Sequence, residues 1–217
     1  MVIAPPVVNG FPQLQSLAEQ AAVGGRYEDA SHGLYEALIM FAGTTGLRWS
    51  EIAGLRAGAL TLGERPQVVV RTTLVSVDGR LQFCETTKGR RPRAVPIPPF
   101  VAALLEQHVA SLEPGALVFT SPSGAELRSS NFARRVFHPA VERCQAVASD
   151  FPDVVFHDLR RTAVTLAVSA GANVKLVQQI AGHSSAVTTL DVYAQLFAED
   201  AHSSAQAVDA LFSRVLA

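Results

Sequence analysis

The sequence predicts an α+β fold, mainly α-helical with a small three-stranded antiparallel sheet, and three observations carry that expectation. Helical apolar periodicity runs through residues 31–43 and through most of the chain beyond Pro99. β-Branched runs are confined to residues 67–98. The length, 217 residues with 48% hydrophobic and 17% charged, suits one packed domain with a sizeable core, or two small ones. No apolar run reaches the roughly 18 residues that mark a membrane span, and the N-terminus lacks the basic-then-apolar order of a signal peptide. A soluble cytoplasmic protein with no membrane partner is therefore expected.

In chain order, residues 1–12, with Pro5, Pro6 and Pro12, read as an extended lead-in. Leu34, Leu38, Ile39, Phe41 and Ala42 form a helical stripe that closes at Gly43 and is followed by a Thr44-Thr45-Gly46 turn. Ser50 takes the N-cap position of a short second helix begun by Glu51, Ile52 and Leu55, and Arg48 lies just ahead of it. Strands follow at 68–70, 72–77, 81–87 and 94–97, with turns at Asp78-Gly79 and Lys88-Gly89. They read as an antiparallel meander with Lys88 at its second hairpin tip, Asp-Gly being a favoured two-residue turn. Helices are expected at 100–111, 129–148, 158–170 ending at Gly171, 173–181 ending at Gly182, and 186–197. A last stripe puts Val208, Leu211, Phe212, Val215 and Leu216 on one helical face.

The near balance of 18 basic and 19 acidic side chains at first argues against nucleic acid, because phosphate neutralisation needs cations. The charge is nevertheless polarised. Residues 1–55 and 162–217 are each net acidic, residues 56–161 are net basic, and Lys88, Arg90, Arg91 and Arg93 fall within six positions. Most of the cations are Arg, whose fork matches a phosphate, although a GC-rich genome produces the same bias. Cys84 and Cys144 are distant in sequence, with no CxxC and no His at ligand spacing, so neither a disulfide framework nor a metal site is expected.

Chemistry concentrates in the second half. HDLRRT at 157–162 puts His157 and Arg160 on one face of a helix start, where both can address one small anion. Gly182-His183-Ser184-Ser185 places a His in a turn between helices, and Tyr193 follows in TTLDVY. With TGLRWSEIAGL at 45–55 and TTKGRRPRAVPI at 86–97, these segments resemble the catalytic domain of the tyrosine recombinases, the phage integrase family, from about residue 30 to about 197. Six active-site residue types fall in the family's order.

The resemblance implies the DNA breaking-rejoining fold, double-stranded DNA as partner, and a phosphodiester surrounded by Arg48, Lys88, His157, Arg160 and His183 and attacked by Tyr193. The chemistry suits those side chains. Two Arg forks stabilise the charge that gathers on the non-bridging oxygens of a pentacoordinate transition state, and His183 adds a donor. A phenol of unperturbed pKa about 10 needs cations or a proton acceptor, for which His157 is the candidate. Lys88 is the candidate acid for the 5′-oxygen, a role that contributes roughly 10²- to 10⁴-fold. The bond energy stays in a 3′-phosphotyrosyl link, so neither ATP, metal nor another cofactor is expected.

Thr87, Arg90, Arg91, Arg93 and Arg161 are candidate DNA contacts, with the Ser129-Ser130-Asn131 helix start as a weaker one. Glu51 is a candidate support for Arg48. His32, His108, His138, His202, Tyr27 and Tyr35 have no matching neighbours and read as packing residues. Two departures from the family pattern stand out: Ala59 where an acidic residue is common, and Gln195 where a His is common. The chain reads as a single catalytic domain, 1–217, without the N-terminal core-binding domain of the family. Segment 200–217 reads as a C-terminal helix that docks in cis or on a neighbouring protomer. A homotetramer on DNA, a monomer or weak oligomer off it, nucleoid association and accessory DNA-bending proteins complete the implied picture. Two alternatives use the same scaffold: a type IB topoisomerase-like relaxing activity, and a DNA-binding module that does not cleave.

Overall fold

The computed structural model describes residues 7–8, 10–23, 32–85 and 92–182. Helix α1 (Gly10–Ala22) packs antiparallel-fashion beside α2 (His32–Thr45), burying Leu14, Leu17, Ala18 and Ala21 from its inner face. The short α3 (Trp49–Ala53) and a 3-10 turn (Ala57–Ala59) lead into strands β1 (Leu60–Thr61), β2 (Gln67–Val70), β3 (Thr72–Val77), β4 (Arg80–Glu85) and β5 (Arg93–Pro96). Helix α4 (Pro99–Val109) follows. Then come α5 (Ser129–Phe132), a π turn (Ala133–Phe137) and α6 (His138–Val147) in one continuous run, and finally α7 (Asp158–Ser169) and α8 (Val174–Ala181). The π turn has a local cause: Pro139 has no N–H for the carbonyl four residues back, at Arg135, and its ring crowds that turn.

A three-stranded antiparallel sheet is present, but its strands are not those of a simple meander. Its order is β1-β2-β5, while β3 and β4 form a separate hairpin. Val68 pairs with Val95 and both are fully buried, so β2 chooses the partner that completes the core instead of its neighbour in sequence. The Asp78-Gly79 turn does form as expected, with φ of 50° and 76° joining Val77 to Arg80, as a type I′ turn requires. Residues 86–91, including the Lys88-Gly89 turn, lie outside the described residues, as do 186–197 and the stripe from Val208.

Three further boundaries differ from expectation. The proline-containing lead-in is helical from Gly10, with Pro12 inside the first turn, where a missing N–H costs nothing. Helix α2 does not stop at Gly43. The hydroxyls of Thr44 and Thr45 bond back to the carbonyls of Met40 (2.7 Å) and Phe41 (2.6 Å), and the helix ends at Gly46 with φ +64°. Gly43 is instead a packing position, since a Cβ there would run into the Leu14 side chain of α1. The N-cap of α3 is Arg48 rather than Ser50, because the Arg48 carbonyl accepts from both Glu51 and Ile52 and its N–H donates to the Glu51 carboxylate.

The core runs through α1, α2, α4, the sheet and α6, with Phe41, Phe119 and Phe137 among its fully buried side chains; Val164, Val168, Val177 and Ala181 form a smaller cluster between α7 and α8. The β3–β4 hairpin rests on the end of α3 at Gly54, where a Cβ would lie 2.7 Å from the Leu74 nitrogen and 2.9 Å from the Thr73 carbonyl carbon. The added methyl of Gly54→Ala therefore must push two backbones apart. It is expected to destabilise by about 1–3 kcal/mol, read as a lower denaturant midpoint at unchanged m-value; an unchanged midpoint would show that the hairpin does not bear on α3.

Candidate active site

Three of the six expected active-site side chains, Arg48, His157 and Arg160, fall within the described residues, and the fold brings them together from two segments. Arg48 caps α3, His157 caps α7, and Arg160 lies in the first turn of α7. An aromatic wedge sets the first two. Trp49 packs edge-on to Phe156 at 4.9 Å between centroids, both rings contact Phe132, and each ring neighbours in sequence the functional residue it holds. Lys88, His183 and Tyr193 lie outside the described residues, as do Thr87, Arg90 and Arg91.

Arg160 is 6% exposed, and its guanidinium donates to the carbonyls of Gly46 (2.6 Å) and Ala181. Those carbonyls close the C-terminal ends of α2 and α8, where the helix dipole is negative and favours a buried cation. Arg48 Nη2 donates to the next carbonyl, that of Gly182, at 3.2 Å. Two arginines thus hold the two residues directly ahead of His183. The small residues have a reason: a Cβ on Gly46 would press on Ala163 of α7 at 3.2 Å, loosening the α2–α7 contact that lets Arg160 reach across.

Glu51 is the carboxylate of the cluster and is 4% exposed. It accepts the Arg48 N–H at 2.8 Å and a two-pronged fork from Arg93 at 2.9 and 2.8 Å, while Arg48 Nη1 stands off at 3.5 Å. Burial alone raises the Glu51 pKa, but the Arg93 bonds and charge, with the Arg48 N–H and charge, outweigh it and hold the group below its ordinary value. Arg48 Nη1 is buried and has no hydrogen-bond partner, the one such side-chain atom among the described residues. Among the described residues its nearest acceptor is Glu51 Oε1, at 3.5 Å and outside hydrogen-bond geometry.

His157 is exposed on the same side. Partial desolvation first, then the charges of Arg160, Arg161 and Arg48, lower its pKa below the ordinary imidazole value, against a smaller opposing pull from Asp158. It is therefore neutral at pH 7 and able to accept a proton. Asp158 organises the turn that carries it, taking the Val155 N–H at 2.9 Å and pairing with Arg161 at 3.3 Å. Arg161 and Arg93, both expected at the DNA, are thus each engaged with a carboxylate. Among the described residues there is no group of three His, Cys, Asp or Glu side chains that could hold a metal ion, and no helix long and apolar enough to cross a membrane.

Fold and site define a mainly helical domain that gathers two arginines and an imidazole with a lowered pKa. The chain belongs to the phage integrase family, whose sequence profile matches residues 13–200. It is 30% identical over 156 residues to the integrase of Mycobacterium phage D29, covering 69% of this chain and 40% of that protein. Against the tyrosine recombinase XerC of Mycobacterium tuberculosis the identity is 30% over 190 residues, covering 85% and 57%. The chain spans about half the length of these relatives. Among solved structures, the Tn1549 transposon integrase in complex with circular intermediate DNA matches with a TM-score of 0.72 at 21% identity, covering 88% of this chain and 63% of that one. The XerH site-specific recombinase bound to its difH substrate matches at 0.61 and 21%, covering 87% and 50%. The fold is that of the tyrosine recombinase catalytic domain.

Two outcomes follow from the site's charges. In Glu51→Gln the half-buried Arg93 loses its buried counter-charge, and the expected loss at pH 7 is on the order of 3 kcal/mol. Because the folded-state pKa of Glu51 is depressed, that advantage is complete above its ordinary value and fades as pH falls through the folded value, so wild type and variant should converge in acid. Parallel denaturation curves with a pH-independent gap would contradict this. For His157, an NMR titration should give a midpoint below the ordinary imidazole value, and Arg161→Gln should move it upward by removing a nearby cation. With its folded pKa lowered, His157 disfavours folding as pH drops below the unfolded value, and its titration accordingly adds to acid destabilisation.

Proposed function

We propose that this domain is a site-specific DNA recombinase of the integrase kind, which cuts and rejoins DNA strands through a covalent link to Tyr193. The observation that carries the reading is that Arg48 and Arg160 converge on the carbonyls of Gly182 and Ala181, directly ahead of His183, with Arg48 Nη1 outside any hydrogen bond and His157 near enough for both arginines to lower its pKa. A phosphodiester oxygen is the acceptor such a donor set suits, since the forks are fixed before charge develops. The resemblance supplies the rest: His183 as a further donor, Lys88 as acid to the departing 5′-oxygen, and Tyr193 as nucleophile.

In this reading the scissile phosphate sits over Arg48 and Arg160. His157 takes the Tyr193 phenol proton as its oxygen attacks phosphorus. The bond to the 5′-oxygen breaks, Lys88 protonates that oxygen, and a 3′-phosphotyrosyl ester with a free 5′-hydroxyl results. Attack by a 5′-hydroxyl of the partner strand reverses the step and joins the strands. ATP and metal have no part in this cycle, because the ester keeps the bond energy.

Double-stranded DNA is the proposed substrate, in keeping with the DNA-bound transposon integrase and XerH structures that share the fold. Four protomers on DNA, with a monomer or weak oligomer off it, would bring two duplexes together for exchange, with DNA-bending proteins as helpers at the nucleoid. Arg90, Arg91 and Thr87, next to Lys88, would meet the backbone. Binding is expected to be salt-sensitive, because the proposed contacts are to phosphates.

The test is a nicked duplex carrying the core site, run on a denaturing gel after incubation. Wild type should leave a covalent protein–DNA adduct, and Tyr193→Phe should leave none while binding DNA equally. Binding without any adduct from wild type would favour the non-cleaving module, and an adduct that persists in Tyr193→Phe would remove Tyr193 as nucleophile.

A further inference from the structure

We propose that Arg93 is a positioning residue, which keeps Arg48 available to the anion by saturating Glu51, and that it is not a contact to DNA. The proposal rests on the cleavage reading above for its kinetic consequence, but not for its electrostatic one.

The starting point is that Glu51 has two arginines within reach and shares itself unequally between them. Arg93 takes both carboxylate oxygens, at 2.9 and 2.8 Å, in the fork geometry that guanidinium and carboxylate match best. The Arg48 side chain, three residues from Glu51, is left at 3.5 Å with Nη1 unbonded. Without Arg93 the buried carboxylate would have one cation beside it, and Arg48 would turn its fork onto Glu51. That rotation would both neutralise Arg48 and move it off the Gly182 carbonyl. The fork of Arg93 therefore sets the direction in which Arg48 points.

A second contact makes the same residue a wall of the cradle. A Cβ on Gly182 would lie 3.1 Å from Arg93 Cζ and 3.2 Å from Nε, so the guanidinium lies close against the Gly182 backbone. Gly182 has φ +62° and its carbonyl is bound by Arg48 Nη2. Arg93 itself is only 16% exposed and opens β5, where pairing with Val70 fixes its register. It therefore ties three things in one place: the sheet, the α3 carboxylate beside Arg48, and the turn that leads into His183.

The test uses the full chain with Arg93→Lys, Arg93→Gln and the Glu51→Gln/Arg93→Gln double variant. Lysine keeps a positive charge but has no fork, and so separates charge from geometry. On duplex DNA, the slope of log affinity against log salt should stay as in wild type in the double variant, where Glu51 no longer draws Arg48 away, whereas loss of a phosphate contact made by Arg93 itself would reduce it there by about 0.9. At saturating nicked duplex, single-turnover adduct formation should fall by about 10²-fold or more in Arg93→Gln, with little rescue in Arg93→Lys. The double variant should be no slower than Arg93→Gln, because Glu51 is harmful to Arg48 only when uncovered. In the DNA-free protein, the Glu51 carboxyl should titrate at higher pH in Arg93→Gln. A slope lowered by about one unit with an unchanged saturated rate would overturn the proposal and make Arg93 a DNA contact. If wild type itself forms no adduct, the cleavage reading fails, and the Glu51 titration then decides: a value that does not move on substitution overturns the proposal by itself.

Discussion

Three guanidinium groups, those of Arg48, Arg93 and Arg160, are gathered around Ala181 and Gly182, and their mutual repulsion is the constraint that the surrounding structure answers. Two like charges 4 Å apart cost about 4 kcal/mol at the effective dielectric of a protein surface. One carboxylate, Glu51, offsets part of this, and the remainder falls to backbone carbonyls at helix C-termini, each end carrying about half a negative charge. The packing of α2, α7 and α8 is thereby tied to the cations: Arg160 needs the end of α2 and the end of α8 at one point, and small residues at Gly46 and Ala163 let α2 and α7 come close enough. The compensation is deliberately incomplete in its effect, since Arg48 Nη1 keeps an unfilled donor position. Among the described residues, the Arg48 fork is satisfied almost, but not fully.

Rigidity comes from apolar contacts placed next to the charged ones. Trp49 adjoins Arg48, Phe156 adjoins His157, and both rings meet Phe132 near perpendicular or tilted, so the two functional residues share one packed aromatic unit. A side chain held by a neighbour of that size has little freedom to relax when the anion's charge changes, which is what electrostatic stabilisation without reorganisation requires. The Asp158 turn does the same for His157 through a backbone bond.

Much of the fold was legible in the sequence because it rests on local signals. The α7 and α8 boundaries, the Asp78-Gly79 turn and the 129–148 helical run follow from apolar periodicity, glycine at helix ends and turn chemistry, each of which acts over a few residues. Errors arose where a local signal has two uses. Pro12 reads as extended chain, yet in a first helical turn it is tolerated, and the Leu14, Leu17, Ala18, Ala21 stripe was the signal that would have found α1. Thr44 and Thr45 read as a turn but can bond to their own helix. Strand pairing was misjudged because β2 could continue to β3 or close on β5, and only the burial of Val68 against Val95 chooses between them.

The sequence by itself determined the family, because a family's motifs are particular residue types in a particular order, and order is what a sequence records. What only the tertiary structure decided is how charge is shared among those residues. Arg48 and Arg93 are 45 residues apart in numbering, and nothing local says which of them Glu51 will take, or that Arg160 will be satisfied by carbonyls of Gly46 and Ala181. Those choices depend on distances of 2.6 to 3.2 Å between segments remote in the chain, and such distances come into being only when the helices pack.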